Sequence, residues 1–232
     1  MMGMKDIKTL ITSGTIILAV ALYLIFAPDQ AEDTTEITNN TPVELVEEQG
    51  QATTNDDQTE NSADVQKHQI TPELAVEKTG NELVDVEFLN ANDGDTFNVE
   101  MAGEKQRVRL LMLDTPEMNY NKGEPMPYAE EAKAFTTELL KNANQLQLLF
   151  DVGPETDNYE RLLAYVFVDG VSLHELLLRE GFAAMRYINK PNNTLEQELR
   201  AVQTEAQQIE VNIWSHENYN KKDGFHEEVI KN

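Results

Sequence analysis

An abrupt change of composition near residue 80 is what most limits the folds open to this chain. Residues Thr9–Ala27 (TLITSGTIILAVALYLIFA) form an uncharged, mostly apolar run, with Lys5 and Lys8 just before it. From Pro28 to Gln66 there is no lysine or arginine, while Asp and Glu recur among Thr, Asn and Gln. Any compact core must therefore come from the residues that follow. The apolar run, nineteen residues at about 1.5 Å each, spans roughly 28 Å as a helix, enough to cross a hydrocarbon core. Lysines before it and acids after it put the N-terminus inside and the bulk of the chain outside. A cleaved signal peptide is the alternative, but a cut after Ala31 places Asp29 where a small residue is wanted. Residues 1–27 thus read as a signal anchor or signal peptide. The protein is expected to be extracytoplasmic, held in the cell membrane by a single pass through this helix, or secreted if cleaved.

Residues 28–79 read as a disordered acidic linker, because so polar a stretch cannot bury enough apolar surface to offset its ordering entropy. A flexible coil of about 50 residues would hold a domain on the order of 40 Å from the membrane. The absence of cysteine excludes disulfides, zinc–thiolate sites and cysteine nucleophiles together. The formal net charge is -24, and even past Gly80 acids outnumber bases roughly two to one. Such a surface cannot collect a polyanion by itself. A bound cation and a few placed arginines would have to do it.

From Glu82 the punctuation becomes that of a folded domain, assigned to residues 80–216. Val84, Val86 and Phe88 alternate with polar residues as a strand. Thr96–Val99, Arg107–Leu113, Gln145–Phe150 and Leu162–Val168 complete a set of five. Three helices fit around them. One carries Ala132, Phe135 and Leu139 on one face. A second opens at the capping box Ser172-x-x-Glu175 and stops at Gly181. The last opens at Thr194-x-x-Gln197, with Leu195, Leu199, Val202, Ala206 and Ile209 on a single stripe. The fold class is α+β: a five-stranded OB-type β-barrel with three α-helices. Trp214 reads as a packing anchor, and residues 217–232 as a flexible tail. His68, His174, His216 and His226 show no metal spacing.

Two loops gather acids beside strand ends: Asp93-Gly94-Asp95-Thr96 and Asp114-Thr115-Pro116-Glu117. Alone, each is an ordinary turn or strand stop. Converging at one end of a barrel, their carboxylates would repel unless a cation sat between them. Hard oxygen donors select calcium or magnesium over zinc. Asp95 and Asp114 are the best direct ligands, with the Thr115 carbonyl as a third and Asp93 behind them. Arg109 lies in the strand that delivers Asp114 and shares a face with Leu111 and Leu113. Arg161 follows Asp157-Asn158-Tyr159-Glu160 as another strand begins.

From about Val84 to Ser215 the chain resembles the staphylococcal nuclease (thermonuclease) family. The matching segments are D-G-D-T (93–96), R-L-L-M-L-D-T-P-E (109–117), T-D-N-Y-E-R (156–161), L-A-Y (163–165), K-P-N-N-T (190–194) and N-I-W-S (212–215). The resemblance implies an OB-type barrel with three helices, Ca2+ dependence, and hydrolysis of DNA and RNA to products ending in a 3'-phosphate. It makes Asp95, Asp114 and the Thr115 carbonyl the calcium ligands, and Arg109 and Arg161 the phosphate-binding arginines. Glu117 becomes the residue that positions or deprotonates the attacking water. Tyr159 and Tyr187 would line the nucleotide site, and Lys190–Pro191 would be a cis peptide.

Departures from the family pattern thin the supply of cations and aromatic rings. Glu160 occupies a family glycine position, Asn158 stands where lysine is common, and Asn189 stands where a second site tyrosine is found. The competing reading is a non-catalytic OB-fold nucleic-acid-binding module displayed outside the membrane. Against it, every ligand, arginine and glutamate position is filled, and no basic groove is evident. No obligate protein partner is evident either.

Overall fold

The computed structural model describes residues 70–121 and 123–231. The expected membrane helix of residues 1–27, and most of the expected linker, lie outside the described residues. Among the described residues, no helix is long and apolar enough to cross a membrane.

The chain opens with helix α1 (Pro72–Thr79), where a continuing linker was expected. Its start and stop are encoded locally. The Thr71 side chain accepts from the Leu74 amide, Pro72 takes the first turn, and Gly80 closes the end at φ 70°. Ala75 is fully buried, so even this short helix has a face to pack.

The sheet is built from β1 (Leu83–Asp85), β2 (Glu87–Ala91), β3 (Thr96–Met101) and β4 (Glu104–Leu110). After a short β5 (Leu113–Asp114) and helix α2 (Ala129–Asn142) come β6 (Leu146–Phe150), β7 (Leu162–Val168) and β8 (Val171–Ser172). The strand order is β1-β6-β7-β4-β3-β2, with β8 on β7. Only β4 and β7 pair in parallel; the other neighbours in this sheet are antiparallel. The two ends of this order, β1 and β2, are consecutive in the chain and separated by Val86 alone. One bent strand thus pairs with β6 on its first half and with β3 on its second, which brings the sheet round on itself. This mixed α+β arrangement is consistent with an OB-type barrel. Phe97, Val99, Val108, Leu110 and Leu148 are all buried in its core.

Beyond the sheet lie α3 (Leu173–Arg179), β9 (Ala184–Met185) and α4 (Glu196–Gln208), making four α-helices among the described residues rather than three. Ser172 caps α3 as expected, accepting from the Glu175 amide, and Gly181 follows its end at φ 61°. The expected cap at Thr194 does not form. Its hydroxyl donates to Asp151 Oδ1 at 2.5 Å, and α4 starts two residues later behind Leu195. Asp151, buried and also bonded to the Tyr165 hydroxyl, competes successfully for that threonine. Leu195, Leu199, Val202 and Ala206 are buried, but Ile209 is exposed just past the helix end. On α2 the face is Ala132, Phe135 and Leu140, with Leu139 only half-buried.

The expected strand Arg107–Leu113 breaks at Leu111–Met112, where Met112 takes φ 56°. Asp114 therefore sits on a separate strand, β5, antiparallel to β9. The expected flexible tail is also partly ordered. Tyr219 is fully buried against Ala184 and Ile213, with Trp214 packed on the same cluster. It is followed by a small hairpin of β10 (Asn220–Lys221) and β11 (Gly224–Phe225).

Candidate active site

The site begins with the β3–β4 register. Thr96 pairs with Arg109, so the Asp93-Gly94-Asp95 turn and the arginine meet at one end of the sheet. The Leu110 amide donates to the Asp95 carbonyl at 2.9 Å, and the Thr115 amide donates to Asp95 Oδ2 at 2.9 Å. The two acid loops are thus laced together by backbone groups. Gly94 is required there for space, since a Cβ would lie 2.8 Å from Thr115 Cγ2 and 2.9 Å from Ala132 Cβ. The Gly94 carbonyl is held in turn by the Thr136 hydroxyl of α2, at 2.7 Å.

Asp95, Asp114 and Thr115, the expected ligand residues, are all buried and adjacent. What separates the carboxylates is a side chain. Arg109, only 8% exposed, pairs through Nη1 with Asp95 Oδ2 and through Nη2 with Asp114 Oδ1 at 3.2 Å. Arg186 reaches Asp114 from its other oxygen, Nη1 to Oδ2 at 2.8 Å. The anticipated repulsion between the two acid loops is therefore met first by arginine, because β4 threads its guanidinium between them.

Burial nevertheless pushes the Asp114 carboxyl above its ordinary value, with Arg109 and Arg186 opposing it. It does the same to Asp93, against the pull of Arg109. Burial likewise lowers the Arg109 guanidinium, while Asp114 and Asp93 act to raise it. Acids that stay raised despite such neighbours mark a place where further positive charge would be welcome. The donor chemistry agrees: carboxylate and backbone oxygens suit calcium or magnesium, and Thr115 Oγ1 is buried without a hydrogen-bond partner. Among the described residues, no three His, Cys, Asp or Glu side chains converge as a metal-binding group. A cation here would rest on two carboxylates and the Thr115 carbonyl.

Arg161 enters from the turn before β7. Asp157 shapes that turn, accepting from the Tyr159 amide at 2.8 Å and the Arg161 amide at 3.0 Å through Oδ1. Its other oxygen takes Arg161 Nε at 2.7 Å. Burial works the other way, yet these bonds hold the Asp157 carboxyl below its ordinary value. Asp157 thus aims the arginine, a role not assigned from sequence although Asp-Asn is a recognisable turn opener. Glu160 is exposed at φ 59°, a left-handed conformation that glycine adopts with least strain.

Arg109, Arg161, Glu117, Asp95 and Asp114 line one cleft of about 950 Å³. Tyr159 (73% exposed) and Tyr187 (66% exposed) stand on its walls, their ring centroids 5.5 Å from the Arg161 guanidinium and 5.7 Å from that of Arg109. Asp93 is half-buried, its Oδ1 3.3 Å from the Asp95 amide. Tyr120 is a third exposed ring on the cleft, its hydroxyl donating to the Asn92 carbonyl at 2.6 Å. The Lys190–Pro191 peptide is cis. Tyr120 and Arg186 were missed from sequence, the latter because nothing in A-M-R-Y-I announces which side a lone arginine faces.

This geometry agrees with the comparisons to known proteins. Residues 107–216 match the model for staphylococcal nuclease homologues. Endonuclease YncB of Bacillus subtilis is 42% identical over 148 residues, covering 64% of this chain and 70% of the relative. The SPbeta prophage-derived endonuclease YokF of Bacillus subtilis is 42% identical over 144 residues, 62% of this chain but only 48% of its own length. Thermonuclease of Staphylococcus hyicus is 36% identical over 123 residues, 53% of this chain and 71% of the relative. The chain belongs to the staphylococcal nuclease family.

Proposed function

We propose that this chain is a calcium-dependent nuclease that hydrolyses phosphodiester bonds in DNA and RNA, leaving 3'-phosphate products. The observation that carries the reading is the convergence of two arginines, a glutamate and two buried aspartates on one cleft. Relatives named endonuclease and thermonuclease support it.

Asp95, Asp114 and the Thr115 carbonyl would hold the ion, which when bound supplies positive charge beside the phosphate under attack. Arg109 and Arg161 bind the equatorial phosphoryl oxygens, where negative charge builds as water adds. Each planar fork can donate two charge-assisted hydrogen bonds to one phosphate. Glu117, on the cleft wall, aligns the water and accepts its proton as the new P–O bond forms; the bond to the 5'-oxygen breaks, and that oxygen takes a proton from solvent in the open cleft to leave as a hydroxyl. Tyr159 and Tyr187 flank the nucleotide, and Asp93 supports the loop that carries Asp95.

The test is hydrolysis of single-stranded DNA by the full chain, with calcium and with EGTA, beside Arg161→Ala. Activity that needs both calcium and Arg161 is expected. Folded wild type that binds DNA and never cuts it would instead favour a binding module. We also propose that the domain works outside the membrane, on the strength of Lys5 and Lys8 ahead of the Thr9–Ala27 run. Protease accessibility in intact cells tests that placement.

A further inference from the structure

The catalytic reading leaves without work Arg186, whose guanidinium is held against Asp114. Its side chain is 11% exposed, and a guanidinium so enclosed needs an acceptor for each donor it withdraws from water. One acceptor is Asp114 Oδ2, at 2.8 Å. The others come from far along the chain. Nη2 donates to Asn220 Oδ1 and, at 2.6 Å, to the Lys221 carbonyl. The guanidinium also lies 4.5 Å from the centroid of the Phe225 ring. All three residues belong to the β10–β11 hairpin.

That hairpin is anchored independently of Arg186. Tyr219, just before it, is fully buried, and its hydroxyl donates to the Pro127 carbonyl at 2.5 Å. The His226 amide, just after it, donates to the Tyr219 carbonyl at 2.7 Å. Arg186 is fixed at its base as well, with its amide on the Met112 carbonyl at 2.9 Å and β9 paired to β5, Asp114 opposite Ala184. The family match ends at residue 216, so the whole hairpin lies beyond it.

We infer that Arg186 is a positioning residue for Asp114, and that the C-terminal hairpin is a working part of the active site because it holds Arg186. The inference rests on the reading of Asp114 as a calcium ligand. With Oδ2 engaged by Arg186, the carboxylate cannot rotate freely, and Oδ1 stays turned toward Arg109 and the Asp95 loop. Groups that orient metal ligands from behind are generally worth about 10- to 100-fold in metal affinity.

The experiment measures calcium binding to the full chain by calorimetry, together with the calcium concentration for half-maximal DNA hydrolysis. It compares wild type, Arg186→Met, Arg186→Lys and the double variant Asn220→Ala/Phe225→Leu. Arg186→Met is expected to weaken calcium binding about 10-fold or more, with the loss falling on the calcium requirement rather than on turnover at saturation. Arg186→Lys should recover part of it. The double variant, which touches neither Asp114 nor Arg186 in sequence, should move the same way by a smaller factor. A merely structural role would lower the melting temperature and leave calcium affinity unchanged in the folded variants; that result overturns the inference. If Arg186→Met does not fold, the double variant decides by the same measurement. Wild type that binds no calcium removes the functional reading itself, and the inference with it, whereas wild-type binding with unmoved variants sinks the inference alone.

Discussion

Arg161 shows why charge alone does not define a residue in this cleft. Two of its donors are spent on Asp157, Nε at 2.7 Å and Nη2 at 2.6 Å, to the same carboxylate oxygen. The rest of the planar group is left facing the cleft. A lysine has no second arm: bonded to Asp157 it would turn away from phosphate, and bonded to phosphate it would lose its aim. Arg161→Lys should therefore lose turnover by about 10²-fold, as loss of one well-placed donor typically does. Steady-state kinetics with a single-stranded oligonucleotide checks this, and near-normal turnover would refute it. His174 tests the residue scale by pH instead. It is fully buried with its ring 5.5 Å from that of Tyr165, and burial lowers its pKa to about 3. Its folded value lies below the unfolded one, near 6.5. Below pH 6.5 the unfolded chain binds a proton that the native state refuses. The stability is thus complete above pH 6.5 and is lost as pH falls toward 3, by about 3 kcal/mol at pH 4. Denaturant melts of wild type and His174→Asn across pH 4–7 should converge at the acid end.

At the scale of elements, the strands were legible because alternation survives in sequence, whereas the breaks between them were not. Nothing in R-L-L-M-L-D says that Met112 turns left-handed and hands Asp114 to a second small sheet. The Thr194 cap failed for a related reason, since a buried Asp151, 43 residues away, outbids the helix for one hydroxyl. Local signals are reliable only where no distant group competes. The helix at Pro72–Thr79 had every local signal and was obscured by the composition of what precedes it. The candidate site divides in the same way. Residues within the 93–96, 109–117 and 156–161 segments were readable together with their neighbours, while Arg186 depended on a hairpin formed more than thirty residues later. The junction of the two acid loops supplies a prediction at this scale. Gly94→Ala puts a methyl 2.8 Å from Thr115 and 2.9 Å from Ala132, so the loop must move off α2 or off Asp114. Overpacking of this kind costs about 1–3 kcal/mol. Because the Thr115 side chain is the nearer neighbour, calcium affinity should fall with stability; a melting shift without a change in calcium binding would show that the loops part without disturbing the ligands.

For the whole molecule, the question is how a chain of net charge -24 holds a polyanion. Each phosphate neutralised on a single strand releases counterions, and the binding constant falls with salt at a log–log slope near -0.7 per contact. Arg109 and Arg161 face the cleft, with Arg107 and Lys190 also lining it. Two to four contacts give a slope between about -1.4 and -3. The surrounding acids do not steepen that slope. Their repulsion is itself screened as salt rises, which partly cancels the loss of arginine–phosphate attraction. Affinity should therefore be modest at low salt and unusually tolerant of salt, the reverse of a basic nuclease. Titration of the Glu117→Gln variant, expected to bind without appreciable cutting, with labelled single-stranded DNA at fixed calcium and from 20 to 300 mM salt, measures the slope on the order of tenths. A slope of about -5 or steeper would mean that phosphate is being read along a track of cations outside this cleft, and the two-arginine account of substrate capture would have to be given up.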